Sequence, residues 1–148
     1  MKMNGDKPIS MRRSLLLFAL AISTLSPGAF AQVLVIANSS VGAAEVSKAE
    51  LRDVFTGAAS SLKGAALVTP VLLKQGAVND EFLDLYVGRS DSAFRASWRS
   101  ILFSGQGVMP KTLDSDAAVV EYVARTPGAI GYIGKTAPHE GVKILAVR

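Results

Sequence analysis

Val33-Leu34-Val35-Ile36 is an unbroken apolar run, and residues 47–57 follow it as Ser-Lys-Ala-Glu-Leu-Arg-Asp-Val-Phe-Thr-Gly. The apolar run is rich in β-branched residues and predicts a strand covered on both faces, as in a parallel sheet. The second segment predicts a helix over Lys48–Thr56, because Ser47 and Glu50 have the spacing of a capping box. A buried strand followed by a capped helix indicates an α/β fold.

The rest of the chain continues this alternation. Three further helices are predicted, the first capped by Asn79 or Asp80 and ended by Gly88, the second starting near Ser92, and the third capped by Asp114 or Ser115. Three further strands are predicted at 67–73, 129–133 and 142–147, with Pro70 favouring an edge position or an irregular start for the first of them. Strands joined through helices need crossover connections, so we expect a mainly parallel sheet flanked by helices.

The first 31 residues have the features of a secretory signal peptide. Met11-Arg12-Arg13 is a positive start, Leu15 to Ile22 is apolar, and Ala29-Phe30-Ala31 fits the small-x-small cleavage rule. We therefore predict a signal peptide at 1–31 and cleavage before Gln32. Either Met1 or Met11 can serve as the start, since the signal is complete from Met11 onward.

The predicted destination is the periplasm or the extracellular medium. The apolar run is too short and too interrupted for a membrane span, so we expect no membrane insertion after signal removal. The chain has no cysteine that could carry a lipid anchor. We accordingly expect a freely diffusing protein.

The composition of residues 32–148 fits one compact domain. The whole chain is 49% hydrophobic and 19% charged, and the part after Ala31 carries 12 basic and 11 acidic residues. This length is enough for a single core. A near-neutral domain lacks the basic face that nucleic-acid binding requires, and we exclude that class of partner.

Candidate ligand-binding residues lie in the loops after the first two predicted strands. Ligands of open α/β sheets gather at the carboxyl ends of strands, and these loops hold Ser39, Ser40, Lys74, Gln75 and Asn79. Hydroxyls, amides and one cation suit a small anion or polar solute. In the alternative interpretation, the serines and Asn79 are turn and cap residues and Lys74 is a solvated strand end.

The sequence offers little for catalysis. It contains no cysteine, only one histidine, His139, and neither a nucleophile-elbow nor a phosphate-loop motif. We predict a protein that is not an enzyme and that uses no metal or cofactor. The spacing of Phe94, Trp98, Ile101 and Leu102 is that of a core-facing helix stripe, so Trp98 is interpreted as a core residue. Asp91 is spaced to pair with Arg95 on a helix face that we interpret as solvated.

Three segments together resemble the periplasmic phosphate-binding proteins, the substrate-binding components of phosphate ABC transporters. They are residues 50–57 (Glu-Leu-Arg-Asp-Val-Phe-Thr-Gly), Trp98 with Phe103-Ser104-Gly105 and Pro110, and residues 126–133 (Thr-Pro-Gly-Ala-Ile-Gly-Tyr-Ile). The last segment is the most specific. The resemblance covers most of residues 32–148.

The resemblance implies a single lobe of a family whose members clamp an anion between two lobes. It implies binding of phosphate or another small anion and an ABC permease as partner, with a homodimer as one way to enclose the ligand. The sequence departs from the family at 74–80 (Lys-Gln-Gly-Ala-Val-Asn-Asp), where an arginine and a Ser-Gly-Thr helix start are usual. The alternative is a protein-interaction module of the cell envelope on the same fold, without a small-molecule ligand.

Overall fold

The structure is a computed structural model that describes residues 32–63 and 67–148. The predicted signal peptide at 1–31 lies outside the described residues and stays a prediction. Within the described part of the chain, no helix is long and apolar enough to cross a membrane.

The described residues form one six-stranded sheet with helices packed on it. The strands are β1 (Val33–Ala37), β2 (Glu45–Val46), β3 (Thr69–Leu73), β4 (Lys111–Leu113), β5 (Ala129–Gly134) and β6 (Lys143–Val147). The helices are α1 (Lys48–Thr56), α2 (Ala77–Phe82), α3 (Asp91–Phe103) and α4 (Asp116–Arg125), and a π-helical turn, Leu83–Val87, continues α2.

Strand β1 runs against all the other strands. The strand order is β2-β6-β1-β5-β3-β4, and β1 is antiparallel to both β6 and β5, whereas β2 with β6, β5 with β3, and β3 with β4 are parallel. The predicted α/β class and mainly parallel sheet are confirmed, but the expectation of a parallel β1 is wrong. Burial on both faces did not distinguish the two directions, because a central antiparallel strand is covered just as well.

The helix boundaries follow the predicted signals where a capping side chain is present. Helix α1 has the predicted bounds, with the Ser47–Glu50 capping box formed and Gly57 left-handed at its end. Ser115 caps α4 as predicted. The prediction for α2 is wrong, since that helix starts at Ala77 and Asn79 is a buried residue within it.

Aromatic side chains from three elements form the centre of the core. Phe55 of α1, Phe82 of α2 and Tyr132 of β5 are buried, and the rings of Phe82 and Tyr132 stack with centroids 3.8 Å apart. Phe55 meets both rings edge-on. This stack packs α2 against the sheet, directly after the loop that follows β3.

Pro70 and Leu102 differ in part from the sequence expectations. Strand β3, which contains Pro70, has a neighbour on each side and is not an edge strand, but β4 pairs only from Val71 onward, so Pro70 itself pairs only with β5. Leu102, which the spacing placed on the core face of α3, is 48% exposed beside the still more exposed Phe103.

Candidate functional site

The carboxyl ends of β2 to β6 meet at one end of the sheet, which we call the carboxyl edge. Helices α1, α2 and α4 begin there, directly after β2, β3 and β4. Helix N-termini carry a partial positive charge and unpaired N–H groups. Serine side chains cap α1 and α4, whereas Gly76 at the start of α2 provides no side-chain cap.

The predicted residues Ser39 and Ser40 do not lie at the carboxyl edge. They follow the reversed strand β1 and therefore lie at the opposite end of the sheet, roughly 15 Å away at the usual rise of a strand. Ser40 is engaged in the fold: its backbone N–H donates to Asn38 Oδ1, and its Oγ accepts from Gly128 N–H at 2.9 Å. The structure thus separates the two serines from the other three predicted residues.

Lys74, Gln75 and Asn79 come together at the carboxyl edge. The Lys74 side chain is 66% exposed and its Nζ lies 3.7 Å from Asp114 Oδ1. Gln75 is exposed, whereas Asn79 is only 1% exposed. The loop after β3 therefore presents one cation to solvent, and helix α2 turns one amide into the protein.

Gln75 and Asn79 both donate to the carboxylate of Asp91 at the start of α3. Gln75 Nε2 lies 2.8 Å from Asp91 Oδ2, and Asn79 Nδ2 lies 2.7 Å from Asp91 Oδ1. Arg95 Nε contacts both oxygens at 2.9 and 3.0 Å. We call these four side chains the Asp91 cluster.

Tyr132 connects the Asp91 cluster to the core. Its hydroxyl donates to Asn79 Oδ1 at 2.5 Å and accepts from Leu73 N–H at 3.2 Å. Arg95 Nη2 donates to the carbonyl of Leu73 at 3.3 Å. Both backbone groups of the last residue of β3 are thus held by side chains of this network.

With this geometry in place, three solved structures show what the fold resembles. A protein described as a phosphate ABC transporter substrate-binding protein, from Clostridium perfringens and with phosphate bound, matches with a TM-score of 0.61 and 19% identity. An ABC-type phosphate transport receptor from Vibrio cholerae gives 0.60 and 16%, and PstS from Borrelia burgdorferi gives 0.59 and 17%. The matches cover 78%, 78% and 79% of this chain and 44%, 46% and 47% of those proteins.

This chain has the fold of one half of the phosphate-binding proteins. It spans less than half the length of those three structures, as expected for a single lobe. No protein-family model and no curated protein matches the sequence. At such low identity the likeness establishes the fold, and the ligand must be argued from this chain's own residues.

The local electrostatics of the Asp91 cluster depend on the ionisation of Asp91 and Tyr132. Burial raises the pKa of the Asp91 carboxyl, but the hydrogen bonds from Gln75 and Asn79 and the charge of Arg95 outweigh burial, so that its pKa lies below the ordinary value. Burial likewise raises the pKa of the Tyr132 hydroxyl, which keeps its proton for Asn79. The Asp91 cluster is therefore an ionised pair with a neutral phenol behind it.

Sequence reasoning missed Asp91, Arg95 and Tyr132 as parts of one site. The spacing of Asp91 and Arg95 predicted their pairing, which the structure confirms, but Arg95 was interpreted as part of a solvated face and its side chain is only 16% exposed. The available signal was Tyr132: a tyrosine inside a fully buried strand requires a partner for its hydroxyl.

The side chains of Trp98 and His139 each contact a backbone oxygen of the fold. Trp98 is 5% exposed and its Nε1 donates to the Phe55 carbonyl at 2.9 Å, as expected of a core residue. His139 lies in the turn before β6, with Nδ1 2.9 Å from the Ala137 oxygen. Among residues 32–63 and 67–148, no group of three or more histidine, aspartate or glutamate side chains is placed to hold a metal ion.

Proposed function

We propose that this protein is a solute-binding-type protein that binds a small oxyanion, with phosphate as the first candidate, at the loop after β3. The fold, which is that of half a phosphate-binding protein, supports a solute-binding role. The three structures that share it are all transport binding proteins by description, which favours binding over catalysis.

The observation that carries the proposal is an exposed cation beside an uncapped helix start. Lys74 ends β3, and two residues later Gly76 begins α2 without a side-chain cap. An ammonium and first-turn N–H groups without a side-chain cap are complementary to a phosphate oxygen. Helices α1 and α4 start at the same edge, but in each of them a serine cap already accepts one of the first-turn N–H groups.

Two features make this binding weak in the isolated chain. Asp80 and Glu81 place carboxylates in and next to the first turn of α2, and they repel an anion. A single lobe also covers only one side of its ligand. We propose that a second copy of this chain, an envelope protein or an ABC permease completes the enclosure.

Calorimetric titration of the purified protein with phosphate and sulfate tests the proposal. We expect saturable binding in the millimolar range, accompanied by an increase in melting temperature, because a ligand that binds only the folded state stabilises it. The Lys74→Met variant should lose the response, since it removes the one cation of the loop.

Lys63→Met is the matched control, because Lys63 is exposed and its hydrogen bond to Glu50 is made by the backbone N–H, which the substitution keeps. It should respond as the wild type does. Equal responses of the Lys74 and Lys63 variants would contradict the proposed site, and absence of any response in the wild type would contradict anion binding itself.

We also propose that the protein is exported and processed before Gln32. The support is the sequence pattern of residues 1–31. Mass spectrometry of the protein recovered from the periplasm or medium should give a chain that begins at Gln32. Recovery of the full-length chain from the cytoplasm would contradict this.

An exposed apolar surface favours the second candidate function, a protein-interaction module. An open groove of about 330 Å³ is lined mostly by apolar groups of α1, α3 and the segment before β4, and Val108 on its rim is 84% exposed. Phe103 nearby is 87% exposed. A partner captured by the wild type but not by a Val108→Asp variant, together with no anion response, would favour this function over the first.

A further inference from the structure

The four hydrogen-bond contacts on Asp91 resemble the binding of a ligand more than an ordinary surface ion pair. Each carboxylate oxygen receives Arg95 Nε and one amide, from Asn79 on Oδ1 and from Gln75 on Oδ2, all between 2.7 and 3.0 Å. Guanidinium and amide donors arranged around two oxygens are the usual way proteins recognise an oxyanion.

Two of the three donors are held in place independently of Asp91. Arg95 is tied to the carbonyl of Leu73, and Asn79 is tied to the Tyr132 hydroxyl. Gln75, in the loop after β3, is exposed and contacts Asp91 directly. Arg95 and Asn79 therefore form the fixed part of the pocket, and the Asp91 carboxylate enters it from the start of α3.

Burial separates this pair from the other ion pair with the same spacing in the described part of the chain. The side chains of Asp91 and Arg95 are 11% and 16% exposed, whereas Glu121 and Arg125, which have the same spacing on α4, are both 67% exposed. Burying a charge pair costs desolvation free energy. This cost is offset only where the remaining donors and acceptors of the pair are also hydrogen-bonded. Here the amides of Gln75 and Asn79 satisfy them.

We propose that Gln75, Asn79 and Arg95 form an oxyanion-binding site that this chain fills with its own Asp91 carboxylate. The site accepts a small carboxylate or similar oxyanion once the Asp91 side chain is removed. In the wild type the loop after β3 is thereby held in an anion-bound arrangement without any solute. A free anion at Lys74 and α2 is bound outside this site, without help from Gln75 or Asn79.

Removal of the internal carboxylate and its replacement from solution test this proposal. Asp91→Gly deletes a group of the size of acetate, so acetate and formate are the probes. We expect saturable binding of either anion to the Asp91→Gly protein, with a rise in melting temperature, and at least about tenfold weaker binding to the wild type. In the double variant Asp91→Gly, Arg95→Met the response should disappear.

The Asp91→Asn protein is the matched control, because its amide fills the same space without offering a vacant site. It should fold and show no response to acetate or formate beyond that of the wild type. If Asp91→Gly does not fold alone, recovery of the folded state on addition of acetate is the expected result. No response of Asp91→Gly beyond that of Asp91→Asn, or a response that survives in the double variant, would overturn the proposal.

These outcomes are separable from those of the proposed function. That function depends on Lys74 and phosphate in the wild type, whereas this inference depends on Arg95 and small carboxylates in the Asp91→Gly protein. Gln75→Ala provides the cross-check: it should weaken acetate binding to the Asp91→Gly protein, because it removes one of the two amide donors.

Discussion

At the scale of single residues, Tyr132 has two roles that its position in β5 makes compatible. Its ring stacks on Phe82 in the core, and its hydroxyl reaches the Asp91 cluster through Asn79. A tyrosine with one apolar face and one bonded oxygen can connect a hydrophobic core to a buried polar network. The order of the polar site is therefore tied to the packing of the core.

Tyr132→Phe should destabilise the protein by about 1–3 kcal/mol, because it leaves the buried Leu73 N–H and Asn79 Oδ1 without their partner. Urea unfolding monitored by circular dichroism measures this difference. Tyr122→Phe is the control, since Tyr122 is only partly buried on α4, and it should change stability much less. A loss as small as that of the control would show that the hydroxyl is not needed.

Gly57→Ala should cost about 1 kcal/mol or more for two independent reasons. Gly57 has a φ of 81°, and an added Cβ would lie 2.8 Å from the ring of Trp98. Thermal unfolding together with tryptophan fluorescence reports both stability and ring displacement. Gly42→Ala, where an added Cβ meets nothing within 4 Å, should leave both signals near wild type.

At the scale of elements, sequence reasoning succeeded where local chemistry fixes a boundary. Ser47, Glu50 and Gly57 determine the ends of α1, and the structure reproduces the predicted bounds. It failed for α2, because the tertiary bonds that bury Asn79 compete with its use as a cap. A capping side chain exposed in solution and one drawn into a buried network look identical in sequence.

The direction of β1 explains why the predicted site was divided. An apolar run such as Val33–Ile36 predicts that a strand is buried, but not whether it is parallel or antiparallel to its neighbours. The direction of a strand determines at which end of the sheet the loop after it lies. Lys74, Gln75 and Asn79 lie together because they belong to the loop after β3 and to the first turn of the helix that follows it. Ser39 and Ser40 were grouped with them only on the assumption of a parallel β1.

Ser47→Ala should reduce stability by about 1 kcal/mol through loss of the capping box. Chemical denaturation provides the measurement, and the exposed Ser39→Ala variant is the control. Because α1 starts at the carboxyl edge away from Lys74, phosphate affinity should not change. A Ser47→Ala protein as stable as the control would mean that packing alone holds the start of α1.

At the scale of the whole molecule, the lowered pKa of Asp91 predicts an acid-sensitive fold. A carboxyl whose pKa is lower in the folded state than its ordinary value of 3.8 stabilises the fold above that pH, and this stabilisation is lost as the pH falls through the folded-state pKa. The free energy of unfolding should therefore decrease as the pH falls below 3.8. Urea titrations at a series of pH values measure this slope.

Asp91→Asn should flatten that part of the pH profile, because the asparagine has no proton to bind. Asp114→Asn is the control, since the Asp114 side chain is 88% exposed and its contact with Lys74 adds little to stability. Parallel profiles for wild type and Asp91→Asn would contradict the assignment of the acid sensitivity to the Asp91 cluster.

The reversed β1 also sets how the sheet responds to a pulling force. Gln32 and Arg148 both lie at the carboxyl edge, on adjacent antiparallel strands. Tension between them opens the β1–β6 ladder from one end, so the hydrogen bonds break in succession and do not share the load. Removal of β1 would then divide the sheet into β2-β6 and β5-β3-β4, two parallel pieces with no strand pairing between them. Strand β1 therefore joins the two parts of the sheet, and it is also the strand that tension between Gln32 and Arg148 detaches from β6.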